Sequence, residues 1–217
     1  MPIGPPSSRD KILDVAEALF ARRGFAGVGI REVAGAAGLG KSSLFHHFRG
    51  KTELYFEVLG RVIGRLRERF APVLAAEIDP AEKLDRAIET LIDALAEQPT
   101  TARLLLRALF EDEQFPIEPG AEREAVDQGI RELLDSIGSV ISAGIAAGVF
   151  RPVSVPHMLQ TLIGITIYHF ASGELGEDVI GRPLLSAEAV RDRKREVLQL
   201  LHHGLTSPHV RLTREVS

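Results

Sequence analysis

The chain has 217 residues, 45% of them hydrophobic, with a formal net charge of −4 and no cysteine. That length and apolar content can bury the cores of one small and one larger domain, and the missing cysteines exclude disulfides, thiol catalysis and Cys-based zinc sites. No apolar run approaches the roughly 18 residues of a membrane helix, and the opening MPIGPPSSRD lacks the regions of a signal peptide, so a cytoplasmic protein with no membrane partner is expected.

The charge is unevenly spread. Residues 1–55 hold eight Lys or Arg against five acids, a net +3, whereas the remaining 162 hold 18 against 25, a net −7. A positive field confined to one end suits a protein that docks on phosphate by that end.

In chain order, Pro5 and Pro6 keep the start extended, and Ser7 with Asp10 has capping-box spacing. A helix follows, with Ile12, Val15, Ala16 and Leu19 at helical spacing, and stops at Gly24 after Arg22 and Arg23. Phe20 and Phe25 are expected to fill a small three-helix core. Two short helices are predicted next, over 30–37 and 41–48, separated by a Gly38-Leu39-Gly40 corner. Val33 and Ala37 on the first, and Leu44 and Phe48 on the second, give each a narrow apolar stripe for its partner. This is a helix-turn-helix pattern. The opposite face of its second helix carries Lys41, Ser42, Ser43, His46 and His47, with Phe45 beside them, on an element of the width the major groove admits.

From about Arg9 to Leu59 the chain resembles the amino-terminal DNA-binding domain of TetR-family transcriptional regulators. ILDVAEALFARRGF is similar to the family's first helix, IREVAGAAGLGKSSLFHHF to its helix-turn-helix and RGKTEL to the start of its fourth helix. Three departures stand out: the family usually carries Thr or Ser near Val28 and Gly29, Ser at Gly40 and Tyr at Phe45. Glycine is a serviceable N-cap, weaker than Ser by roughly a few tenths of a kcal/mol, so the helices survive while hydroxyls that touch phosphate are lost.

Beyond Phe48, Lys51 opens a fourth helix. Its ammonium and the free amides of a helix start suggest a phosphate clamp. The helix is predicted to run on Tyr55, Val58, Leu59, Val62, Leu66 and Phe70 as far as Pro72. Gly60 and Gly64 inside it have two readings, close packing against a neighbour or a deliberately less rigid connector. Asp79-Pro80 caps a helix running to about Glu97; another spans 101–110, residues 111–120 read as a loop, and a long helix covers 121–149. The nearly all-apolar stretch 157–172 reads as a buried helix, 173–183 as a loop, and 186–204 as a closing helix with Val190, Val197, Leu198 and Leu201 inward and RDRKRE as a charged face. The tail beyond Thr206 reads as frayed.

The pattern is all-α, about nine helices, divided into a helix-turn-helix domain over 1–54 and a larger helical ligand-binding and dimerisation domain over 55–217. The resemblance implies that the last two long helices, about 157–172 and 186–204, pair with those of a second copy, and a helix as apolar as LQTLIGITIYHF independently needs cover on nearly all sides. A homodimer also fits DNA reading, because two recognition helices related by a two-fold read a palindrome with half-sites roughly 34 Å, or a multiple, apart. The resemblance further implies a small-molecule effector, for which Val62, Leu66, Leu105 and Ile141 are apolar candidates and Arg103, Arg107, Tyr168 and His169 polar ones. These would favour a mostly apolar ligand with one polar or anionic group. For DNA, Ser42, Ser43 and His46 are assigned to base edges, Lys41, His47 and Lys51 to phosphates, and Phe45 to sugar or a thymine methyl.

One motif points elsewhere. GAAGLGKS, residues 35–42, matches the phosphate-binding loop pattern, yet such a loop must follow a buried strand, and IREVA before it is helical in pattern. The adjacent pairs His46-His47 and His202-His203 point about 100° apart on a helix and do not chelate one ion, and no Ser-His-Asp constellation can be placed. The expectation is a double-stranded-DNA-binding regulator, most simply a repressor released by its ligand, with no catalytic site, metal or cofactor. The rival from another class is a ligand-binding or interaction protein that has lost DNA recognition.

Overall fold

The structure, a computed structural model, describes residues 7–110 and 120–206. Among them it is all-α: α1 Ser8–Arg23, α2 Ile30–Ala36, α3 Lys41–His47, α4 Lys51–Ala75, α5 Pro80–Glu97, α6 Pro99–Phe110, α7 Ala121–Ala146, α8 Val155–Ala171, α9 Glu174–Ile180 and α10 Ala187–Leu205. The one β feature among the described residues is an isolated bridge between Phe150 and Thr206. No described helix is long and apolar enough to cross a membrane. Among the described residues, 7–64 with 100–110 and 120–129 form one compact unit, and 65–99 with 130–206 form another.

In the first unit the Ser7 hydroxyl accepts from Asp10 N at 3.1 Å, and α1 ends at Gly24, whose φ of 71° suits a residue without Cβ. Ile12, Phe20, Val33, Leu44, Phe48 and Tyr55 are buried together as its core. Tyr55 sits edge-on to both Phe20, at 5.0 Å, and Phe25, at 5.3 Å, an arrangement that favours aromatic pairs. A polar network reinforces this core. Glu17, nearly buried, accepts from Arg61 at 3.0 Å and from the Thr100 hydroxyl at 2.8 Å, and Arg61 also reaches Asp14 at 2.6 Å. Arg107 of α6 donates to the Ala21 and Arg22 carbonyls at 3.2 and 3.0 Å, satisfying the open end of α1.

In the second unit α5 packs with α8 and α10. Asp79 caps α5 by accepting from Ala81 N and Glu82 N, at 2.9 and 3.2 Å, with Pro80 at the first helical position. Leu84, Ile88, Ile92 and Leu95 form its inward stripe. An ion pair and a hydrogen bond tie α10 to α5: Lys194 reaches Asp93 at 2.7 Å and His202 Nε2 meets the Asp85 carboxyl at 2.8 Å.

Four sequence expectations change. The fourth helix continues through Pro72 to Ala75. The proline removes one backbone donor, but Glu68 and Pro72 are both exposed, so the carbonyl left over faces solvent. The stretch 173–183 contains a tenth helix, α9, bracketed by Gly173 at φ 58° and Gly181 at φ 75°. Close packing does not account for the helical glycines: a Cβ at Gly60 would meet Val126 at an ordinary 3.7 Å, and one at Gly64 would meet nothing within 4 Å. Finally, RDRKRE is not wholly a solvated face, because Arg193 turns inward. The expected loop over 111–119 and the tail beyond Thr206 lie outside the described residues.

Candidate nucleic-acid interface

The corner between α2 and α3 is built by glycine. Gly38 adopts φ 70°, which a residue with a Cβ rarely takes. Its N–H bonds the Gly35 carbonyl at 3.0 Å while Leu39 N–H bonds the Ala34 carbonyl at 2.9 Å, the paired closure of a Schellman C-cap. Gly29 and Gly40 then serve as N-caps of α2 and α3, neither contributing a side-chain cap. The two short helices are held by Val33, Ala34, Leu44 and Phe48, all buried, and Ala37 is half-buried.

With Leu44 and Phe48 turned inward, the opposite face of α3 is free. Lys41, Ser42, Ser43, Phe45 and His46 are exposed and His47 is half-buried, so the structure gathers six of the seven expected DNA contacts on one seven-residue helix. Lys41 Nζ rests 5.3 Å from the Phe45 ring centroid, an attraction between ammonium and aromatic face that steadies both on the surface. His46 and His47 meet edge-on at 5.4 Å. Lys51, the seventh, is placed differently: its ammonium lies 4.3 Å from the Phe25 ring centroid and 3.4 Å from the Ala26 carbonyl, half-buried beside the core.

The head's cations divide by partner. Arg9 pairs with Glu57 at 2.7 Å, Arg23 with Glu32, and Arg49 with Glu53 and Glu122. Hydrogen bonding and charge from Glu53, then the charge of Glu122, raise the Arg49 pKa, while the hydrogen bond from Arg23 holds the Glu32 carboxyl below its ordinary value. Among the described residues Lys11, Arg22, Arg31 and Lys41 have no ion pair and supply the uncompensated positive field. Arg31, exposed in the first turn of α2, entered the sequence reading only as a charge, since nothing in the pattern separates it from the paired arginines.

The apparent phosphate-binding loop has the wrong frame. Gly35 lies in α2, residues 37–40 make the corner, and Lys41 and Ser42 open α3, so helix rather than strand precedes it.

The effector candidates separate. Val62, Arg103, Leu105 and Arg107 belong to the first unit, and Leu66, Ile141, Tyr168 and His169 to the second. Val62, Leu66 and Ile141 are buried and Leu105 half-buried, but Arg103 is exposed, Arg107 is spent on the α1 carbonyls and Tyr168 is 57% exposed. His169 is buried, with burial first and the charge of Arg193 second lowering its pKa from 6.5 to about 4. Arg193 entered the sequence reading only as part of the charged face RDRKRE, masked by the charge run around it.

Comparison with known proteins agrees with this geometry. Residues 12–58 match the family model described as bacterial regulatory proteins, tetR family, and residues 80–201 match the tetracyclin repressor-like C-terminal domain. The HTH-type transcriptional repressor KstR2 of Rhodococcus jostii is 26% identical over 211 residues, covering 95% of each chain. Among solved structures, the ketosteroid transcriptional regulator KstR2 of Mycobacterium tuberculosis superposes with a TM-score of 0.74 at 22% identity, over 94% of this chain and 97% of that one. AibR in complex with isovaleryl coenzyme A and operator DNA also gives a TM-score of 0.74, at 19% identity, over 89% of this chain and 97% of its own. The exposed α3 face thus sits within two matched domains that together span most of the sequence, and the chain belongs to the TetR family of bacterial regulatory proteins.

Proposed function

We propose that this protein is a cytoplasmic, homodimeric transcriptional repressor that binds a palindromic operator through α3 and releases it on binding a small, mostly apolar effector. The observation that carries the reading is the α3 face, where Lys41, Ser42, Ser43, Phe45 and His46 are exposed on a helix anchored by buried Leu44 and Phe48. Ser42, Ser43 and His46 read base edges, Phe45 packs on sugar or a thymine methyl, and Lys41, His47 and Lys51 neutralise phosphates. Function divides near residue 54, with effector binding and dimerisation in 55–217.

Dimerisation through α8 and α10 is supported by Tyr168 and Leu200, 57% and 60% exposed, with Leu175 and Val179 of α9 exposed as well. Apolar side chains of this size left in water mark an association surface. Effector control is supported by AibR, which binds isovaleryl coenzyme A and operator DNA. The rival, a ligand-binding protein without DNA recognition, draws on the absent capping hydroxyls at Gly29 and Gly40.

Selecting sites from a random duplex library separates the two. The repressor enriches a two-fold symmetric sequence whose affinity falls steeply with salt, and the rival enriches none. Leu200→Glu tests the dimer: sedimentation should show monomers and operator affinity should collapse, whereas an unchanged dimer contradicts the assignment.

A further inference from the structure

On α10 the residues four apart are Ala189, Arg193, Val197, Leu201 and Leu205, and the four apolar ones are between 1% and 6% exposed. Arg193 is therefore the charged member of a core-facing row. On α8 the inward residues are Leu162, Thr166, Ile167, His169 and Phe170. The Thr166 hydroxyl donates to the Leu162 carbonyl at 2.6 Å and is satisfied. His169 is 8% exposed, and its Nε2 is buried without a protein partner. Arg193 Nε is likewise buried and unpartnered, while a terminal nitrogen of the same guanidinium donates to the Ile165 carbonyl. Ile165 lies one helical turn before His169, so guanidinium and imidazole share a single turn of α8.

Buried polar groups are nearly always satisfied, and a guanidinium, which does not shed its proton, needs an acceptor. Burial lowers the pKa of Arg193 with no carboxylate opposing it, and His169 is neutral at pH 7. The pair thus offers directed donors beside the buried apolar residues of α8 and α10, with no counter-charge of its own. We infer that His169 and Arg193 form the recognition point for an oxyanion, carboxylate or phosphate, on an otherwise apolar small ligand held in the second unit. Arg193 Nε–H and His169 Nε2–H donate to the oxyanion, and Leu162 and Val197 flank it with apolar surface. Such charge-assisted bonds are strong when water is excluded. This deepens the effector reading above and rests on it.

The test uses the full-length protein and three matched probe series, n-alkyl carboxylates, n-alkyl phosphates and n-alcohols, each from butyl to dodecyl. Imidazole nitrogen resonances are followed by NMR, with His169 assigned by its loss in His169→Phe. At least one carboxylate or phosphate should shift the His169 signal and bind roughly tenfold tighter than its matched alcohol. Response to carboxylates alone assigns a carboxylic acid, and response to phosphates alone a phosphoryl group. Arg193→Met should bring the preference within about twofold while raising the melting temperature of the free protein by about 3 °C, because it removes a half-buried charge that no carboxylate compensates. Arg193→Lys, which keeps a charge without Nε, should fold and lose most of the preference. The inference is overturned if no anionic probe moves His169, if alcohols bind equally, if Arg193→Met retains the preference, or if that variant melts lower. Operator release is read separately: a probe that shifts His169 while operator stays bound contradicts the effector reading and leaves the anion site standing.

Discussion

Two half-buried charges in this molecule are handled in opposite ways. Arg61, in the first unit, meets Asp14 and Glu17, and although burial works against its charge, hydrogen bonds and attraction from those carboxylates win and its pKa is raised. Arg193, in the second unit, meets one backbone carbonyl, and its pKa is lowered by burial. Nε is buried without a partner in both arginines, so the carboxylates are what separate them: the charge of Arg61 is compensated from within the chain, whereas Arg193, beside the unpartnered His169, meets none.

The largest expected effect breaks the compensated side. Glu17→Ala leaves Arg61 half-buried with Asp14 alone and should destabilise the protein by about 3 kcal/mol in urea unfolding. An effect below about 1 kcal/mol would show that Glu17 is dispensable and weaken the contrast.

On the open side, stability depends on pH through His169. His169 titrates at about 4 when folded, against an ordinary 6.5. As pH falls, the unfolded chain takes the proton first, so stability is lost from pH 6.5 down to about 4 and stays at the lower level beneath that. His169→Phe should remove roughly 1–3 kcal/mol of that loss, read as the difference between the unfolding curves of the two proteins across this window. Parallel curves would place the titrating group elsewhere.

Smaller effects sharpen the division of labour. Gly64→Ala meets no neighbour within 4 Å and should stabilise α4 by about 1 kcal/mol. If a less rigid connector serves release, the same variant also narrows the difference in operator affinity with and without effector; an unchanged difference leaves Gly64 without that role. Lys41→Ala should weaken binding to all duplexes alike and reduce the salt slope by about 1. A change in preferred sequence instead would move Lys41 to the base-reading group.

What the sequence disclosed follows from how local each feature is. The helix-turn-helix was legible because its parts all lie within residues 30–48 and each leaves a mark: Gly38 at a left-handed corner, Leu44 and Phe48 one turn apart, polar residues between. The caps at Ser7 and Asp79 are equally local and were equally legible. α9 was not, since seven residues including Gly176 carry little periodicity, and its stops, Gly173 and Gly181, read as loop signals. Arg193 was hidden by its neighbours: in RDRKRE the charge run suggests solvent, and the row Ala189, Arg193, Val197, each four residues from the next, is what reveals the inward face. The bonds from Glu17 to Arg61 and Thr100 span 44 and 83 residues and leave no trace in a linear pattern.

The central claim is that the exposed face of α3 reads operator sequence. The most direct measurement is a duplex-library selection run in parallel on the wild type and on the double variant Ser43→Ala, His46→Ala, with salt titrations on each winner. The wild type should enrich a palindrome, and the variant should lose preference at symmetric positions in both half-sites while keeping the same salt slope. Enrichment of an identical palindrome by both proteins would contradict the account.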